Sequence, residues 1–210
     1  MYKFFLKRCV DIICSSIFLT ITSPIMLLVF LLIKLDGQGS VFFVQTRIGK
    51  RVTPFKIYKF RTMLTTTPNM PTSLLRNSDK YITKLGRVLR KTSIDEFPQV
   101  FNVLKGDMSF VGPRPVIESE HELIKKRIEA GIYTLLPGLT GLAQINGRDK
   151  ITVDEKVKYD KDYLNNISPW LDIKIMFYTI FKLLKGEDVL DGEDTHDDID
   201  NYDKKLEYDK

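Results

Sequence analysis

Asp95 and Glu96 stand side by side in one of the most basic stretches of the chain. Arg87, Arg90 and Lys91 precede them, and Arg114 follows inside the run Gly112-Pro113-Arg114-Pro115. Paired carboxylates hold a hard cation through oxygen, and guanidinium groups grip phosphate oxygens two at a time. The chemistry this suits is that of an anionic, metal-bound phosphate. A proline on either side of Arg114 stiffens the loop that presents it, and Lys59 and Arg61 enlarge the cationic set. Glycines running up to Gly147-Arg148 let backbone come close to a ligand. Each of these residues also has a plain structural use. The dipole at a helix start favours carboxylates, and single basic residues suit a solvated surface. Other catalytic patterns are missing from the sequence: there is no Gly-Lys-Ser/Thr phosphate loop, no Cys/His spacing for zinc and no Ser paired with a His. His121 and His196 stand alone.

The elements that must position these groups are legible in part. Ser93-Ile94-Asp95-Glu96 fits a capping box; taking Asp95 as the cap instead sets Pro98 in the first turn, where no donor is needed. Either way both carboxylates open a helix. Phe97, Val100, Phe101 and Leu104 are expected to form its buried stripe, with Asp95, Gln99 and Asn102 on the opposite, polar face. Upstream, residues 41–46 and 53–60 are rich in β-branched and aromatic side chains and read as a hairpin turning at Ile48-Gly49-Lys50-Arg51. Residues 65–78 read as a loop, and 80–90 as a short basic amphipathic piece. Helices are expected over 118–133, from a second capping box at Thr152-Val153-Asp154-Glu155 to about Asn165, and over 170–184. The last is apolar nearly all round, so it is either buried or lies at a membrane interface.

No charge occurs between Asp11 and Lys34. The intervening residues would make a helix of about 33 Å, enough for a hydrocarbon core of about 30 Å. No small-residue cleavage site follows, which argues against a signal peptide. Ser23-Pro24 interrupts the middle, where proline removes a backbone donor and the hydroxyls of Thr20, Thr22 and Ser23 can satisfy the freed carbonyls. Positive residues flank both ends: Lys3, Lys7 and Arg8 in front, Lys34, Arg47, Lys50 and Arg51 behind. Two readings fit. The helix enters, breaks at Ser23-Pro24 and leaves by the same face, or it crosses with a proline kink. Cys9 and Cys14 form no disulfide framework and suit a reducing, cytosol-facing setting.

With 43% hydrophobic and 28% charged residues in 210, the chain has the composition of one folded domain. Its net +5 divides unevenly: residues 187–210 carry −8 and the rest +13. The acidic tail reads as flexible and solvated, and the basic body calls for anionic partners such as nucleic acid, lipid headgroups or phosphorylated substrates. The organisation is thus a membrane helix over 1–36, a catalytic domain with interfacial helices over 37–186 and a tail over 187–210.

The run Tyr58-Lys59-Phe60-Arg61-Thr62-Met63 and the run Thr92-Ser93-Ile94-Asp95-Glu96-Phe97-Pro98-Gln99 carry a specific resemblance. So do Ser23-Pro24, Gly112-Pro113-Arg114-Pro115, and Pro137-Gly138-Leu139-Thr140-Gly141 with Gln144 and Gly147-Arg148. In this order they resemble the bacterial sugar transferase family, small monotopic phosphoglycosyl transferases acting on polyprenyl phosphate. The resemblance implies an α+β, mostly helical monotopic membrane protein. It would have a re-entrant N-terminal helix broken at Ser23-Pro24, a short β-hairpin and amphipathic interfacial helices. It implies transfer of a sugar-1-phosphate from a UDP-sugar to polyprenyl (undecaprenyl) phosphate. Asp95 would be the nucleophile and Glu96 its partner, both near Mg²⁺, with Lys59, Arg90, Arg114 and Arg148 contacting phosphate. It places the protein at the bacterial inner membrane with its site facing the cytosol. Lipid headgroups, and not nucleic acid, are then the other anionic partner. Two rival readings are a membrane-bound, Mg²⁺-dependent nucleotide-sugar phosphohydrolase and a peripheral membrane adaptor.

Overall fold

The computed structural model describes residues 2–67, 78–147 and 150–185. Arg148 and the acidic tail, and most of the loop expected over 65–78, lie outside the described residues. Among the described residues the chain is mostly helical, with two small two-stranded sheets.

The first helix, α1, runs from Lys7 to Leu35, about 43 Å at roughly 1.5 Å per residue. Ser23-Pro24 does not end it. Pro24 cannot donate to the carbonyl of Thr20, and Ser23 Oγ donates to that carbonyl instead, at 2.9 Å. The expected break is therefore a substituted hydrogen bond inside a continuous helix. The faces of α1 are inverted relative to a helix that meets water. Asp11 (3% exposed), Ser15 (0%) and Thr22 turn inward with Val29 and Ile33. Ile13, Ile17, Ile21, Leu27 and Leu28 turn outward, each more than half exposed. Fully burying one such side chain is worth about 1.5–3 kcal/mol. Five left in water would forgo an amount comparable to the whole stability of a typical domain, about 5–15 kcal/mol.

The body lies along the full length of α1. Arg8 donates to the carbonyls of Val103 and Leu104 at 2.5 and 2.7 Å. Asp11 accepts from Ser109 Oγ and Phe110 N, both at 3.1 Å. Phe18 meets Phe97 edge to face, and Val29 and Ile33 pack with Val41, Phe60 and Leu89.

Strands β1 (Phe42–Ile48) and β2 (Pro54–Phe60) form the antiparallel hairpin the alternation called for. Next come α2 (Lys84–Lys91) and α3 (Gln99–Lys105). Strands β3 (Ser109–Val111) and β4 (Gly138–Thr140) pair in parallel, which the sequence reading missed. Between them α4 spans His121–Glu129, shorter than expected. Then α5 (Leu142–Ile145) leads to α6 (Val153–Asn166), where Thr152 and Glu155 make the expected reciprocal capping box. The last helix, α7 (Pro169–Lys185), is also inverted: Asp172 is buried while Trp170, Ile173, Phe177 and Ile180 are exposed.

Asp172 ties the two apolar helices together. Its carboxylate accepts from Tyr2 Oη at 2.7 Å, Lys7 Nζ at 2.6 Å and Tyr163 Oη at 2.6 Å. Four groups from three parts of the chain thus satisfy one another, Asp172 and Tyr163 buried and Tyr2 and Lys7 partly so.

Candidate active site

The candidate site is assembled where β2 ends and α2 and α3 meet. After Phe60 the chain passes Thr62, whose carbonyl accepts from Thr83 N at 3.0 Å. Thr83 caps α2, its hydroxyl accepting from Gly86 N at 2.8 Å. A Cβ on Gly86 would sit 2.0 Å from the Thr62 carbonyl oxygen, so this turn of α2 can touch the strand end only as glycine. One turn further along α2, Arg90 Nε donates to Thr62 Oγ1 at 3.0 Å.

The chain then reverses through Ser93, a non-glycine residue held in the left-handed region at φ 54°. A 3₁₀ turn, Ile94–Glu96, carries both carboxylates, and Pro98 stands at the start of α3. The expected capping box at Ser93 is not formed, because left-handed Ser93 makes no side-chain cap. The faces of α3 depart in part from those expected: Val100 is buried as expected, with Phe97 and Leu104 half-buried. Asn102 (0% exposed), Gln99 and Asp95 point inward, and Phe101 points outward. Asn102 is buried because its polar atoms are used: its amide donates to Lys56 O at 2.7 Å and its carbonyl accepts from Tyr58 N at 3.3 Å. It serves as a neighbour for the edge of β2 and fixes α3 beneath the strand that bears Lys59.

Lys59 Nζ donates to Glu96 Oε1 at 2.6 Å. Asp95 is buried, and its carboxyl is pushed up to about 6. Burial is the largest cause; Lys59 opposes it, Glu96 adds to it, and Arg90 opposes it. A helix start was expected to hold Asp95 ionised, but burial outweighs the local dipole. The arrangement presents a carboxylate that is poorly hydrated, under the influence of two cations and ionised above mildly acidic pH. Such a group can act as a nucleophile toward phosphorus.

Lys59, Arg90, Asp95 and Glu96 are thus brought together. Arg61 serves the fold instead: its guanidinium donates to the carbonyls of Ile33, Gly37 and Gln38 where α1 ends. Arg114 stands on a second cluster. Its carbonyl accepts from Arg127 Nη1 at 2.8 Å, and Arg127 is held by Asp160 in a buried ion pair at 2.6 Å. Glycines expected to admit a ligand admit each other: Gly138 N donates to Pro113 O, and a Cβ on Gly138 would lie 2.1 Å from Gly112 N. Thr62 and Asn102 are the residues that sequence reasoning left without a role. Both lay inside or beside quoted motifs, and only their long-range partners reveal what they do.

No group of three or more His, Cys, Asp or Glu side chains is placed to hold a metal among the described residues. Two adjacent carboxylates fit Mg²⁺ nonetheless, because this ion commonly takes one or two carboxylates and completes its shell with water and substrate phosphate.

Residues 2–186 match the model of the bacterial sugar transferase family. The chain is 40% identical over 187 residues to a UDP-N-acetylgalactosamine-undecaprenyl-phosphate N-acetylgalactosaminephosphotransferase of Aeromonas hydrophila, covering 87% of this chain and 44% of that protein. It is 40% identical over 184 residues to a UDP-glucose:undecaprenyl-phosphate glucose-1-phosphate transferase of Escherichia coli, covering 84% of this chain and 40% of that protein. It thus spans less than half the length of these two relatives. An uncharacterized sugar transferase, EpsL, of Bacillus subtilis is 42% identical over 184 residues, with 88% of this chain and 90% of EpsL covered. On the match along nearly all of its described length, the chain belongs to the bacterial sugar transferase family.

Proposed function

We propose that this chain transfers a sugar-1-phosphate from a UDP-sugar to undecaprenyl phosphate through a covalent intermediate on Asp95. The observation that carries this reading is the buried Asp95 carboxylate next to the Lys59–Glu96 ion pair, with the charges of Lys59 and Arg90 favouring its ionised form. The names of the relatives, which couple a sugar phosphate to undecaprenyl phosphate, support the substrate classes. They differ in the sugar at equal identity to this chain, so the sugar itself is left open.

In the first step an Asp95 oxygen attacks the sugar-bearing phosphorus, the bond from that phosphorus to the bridging oxygen breaks, and UMP departs with that oxygen. In the second, a phosphate oxygen of undecaprenyl phosphate attacks the same phosphorus and Asp95 leaves as a free carboxylate. The product is undecaprenyl diphosphate-sugar. An acyl phosphate and a diphosphate are of similar reactivity, so neither step meets a deep well. Arg90 steadies the phosphate oxygens, and Lys59 holds Glu96 and favours ionised Asp95. Asp95 and Glu96 would hold Mg²⁺, which supplies neutralisation of the diphosphate charge. Arg114 and Arg148 are proposed as further phosphate contacts.

The reading includes a membrane. The inverted faces of α1 and α7 favour lipid over water on their outer sides. Support for entry and exit by one face comes from the contacts along α1. A crossing needs about 20 residues clear of the body. The body meets α1 at Arg8, Asp11, Phe18, Met26, Val29 and Ile33. We place the site on the cytosolic side of the inner membrane, where nucleotide sugars are made.

The test is capture of the intermediate. Incubating the protein with UDP-glucose or UDP-N-acetylgalactosamine and Mg²⁺, without acceptor, should add one sugar-phosphate mass to the peptide containing Asp95. Added undecaprenyl phosphate should discharge it. Asp95→Asn should give neither adduct nor product. Steady release of free sugar phosphate without acceptor would instead support hydrolysis, and full product formation by Asp95→Ala would refute the reading.

A further inference from the structure

We propose that Thr62 is a positioning residue that aims the Arg90 guanidinium at the donor's diphosphate. The inference rests on the reading of Arg90 as a phosphate contact. Thr62 is buried at 7% exposure and is held from two directions. Its carbonyl accepts from Thr83 N at the head of α2, and its hydroxyl accepts from Arg90 Nε near the foot of the same helix. Gly86, between them, lies so close that any side chain would strike the Thr62 backbone. Thr62 therefore has a fixed position relative to α2, and its Oγ1 is a fixed acceptor.

Arg is a long side chain that loses much rotamer freedom when it must hold one pose. Engaging Nε fixes both the plane and the direction of the planar fork, because the guanidinium cannot turn without breaking that bond. The fork is then pre-set before donor arrives, and binding need not supply the ordering. A valine at this place keeps the shape but offers no acceptor. A serine keeps the hydroxyl.

The test uses the full chain in detergent with Mg²⁺, and UDP as the probe for the diphosphate. Losing a hydrogen bond to a charged group should weaken UDP binding by about tenfold or more in Thr62→Val. Thr62→Ser should stay within about threefold of wild type, because the acceptor is kept. In turnover the loss should fall on the donor's KM or kcat/KM and leave the acceptor's KM unchanged. Arg90→Ala should weaken UDP by at least as much as Thr62→Val, and Thr62→Val should then add nothing, as expected of two residues acting as one. The inference is overturned if Thr62→Val binds UDP like wild type, if Thr62→Ser loses as much as Thr62→Val, or if the Thr62→Val loss persists in the Arg90→Ala protein. Wild-type UDP binding by Arg90→Ala would instead remove the reading of Arg90 itself. Unchanged melting temperatures separate aiming from misfolding, and Thr62→Ser remains informative if Thr62→Val does not fold.

Discussion

A carboxyl group raised to about 6 has two consequences of opposite sign. On the proposed mechanism Asp95 must be ionised, so the rate of adduct formation should rise with pH and level off, the rise lying below about 6 because Mg²⁺ in the assay favours the carboxylate. Replacing Lys59 by Met removes an interaction that lowers this pKa, so the rise should move to higher pH. For stability, the native group binds its proton more tightly than the unfolded one. Burial therefore costs nothing below the ordinary value of 3.8 and is felt fully once pH passes about 6. The cost is about 3 kcal/mol at ~1.4 kcal/mol per pH unit. In metal-free buffer Asp95→Asn should raise the melting temperature at pH 8 and leave it nearly unchanged near pH 3.5. Equal melting temperatures at pH 8 would contradict the burial argument. The acidic pair was legible in the sequence because adjacent carboxylates among arginines are unusual by type. Thr62 and Asn102 were not, since each acts on a residue 28 or 46 positions away, respectively, and nothing in their own surroundings announces it.

At the scale of elements, the hairpin and the capped α6 followed from local rules: alternating β-branched residues in one, a reciprocal Thr152–Glu155 pair in the other. On α3 the apolar stripe was right at Val100 and wrong at Phe101, because the buried polar bonds of Asn102 decide which side of the helix faces β2. Strands β3 and β4 were overlooked because three-residue strands containing or flanked by glycine give no period to read. Asp172 offers a direct test of how α1 and α7 are joined. Asp172→Ala takes the ion-pair partner from Lys7 at a largely buried position and an acceptor from two tyrosine hydroxyls, leaving Tyr163 only the Val111 carbonyl at 3.2 Å. The expected loss is about 3–5 kcal/mol, read as a lower melting temperature in detergent. Asp172→Asn should lose less, because the amide oxygen still accepts.

For the whole molecule, the largest runs of exposed apolar side chains among the described residues belong to α1 and α7. If the membrane is held chiefly through the apolar faces of α1 and α7, high salt and alkaline carbonate should leave the protein in the membrane fraction and detergent should release it. Charge attraction alone would be lost at high salt, when screening falls to about 3 Å. Release by salt would contradict this account of the inverted helices. Topology has its own measurement. Single cysteines placed at Lys3 and Gln38 should react with an impermeant maleimide from the same side of sealed vesicles. Labelling from opposite sides would favour the proline-kinked crossing, the reading the sequence left open beside re-entry.

Arg8 grips the last carbonyls of α3 while Phe18 rests against Phe97 at its other end, one step from the acidic pair. The short rod between those two footings has its whole length clamped to the anchor. Sinking or lifting the anchor by a few ångströms must therefore carry Asp95 by the same distance. On the proposed reading, the thickness of the surrounding leaflet would then set the height of Asp95 above the hydrocarbon.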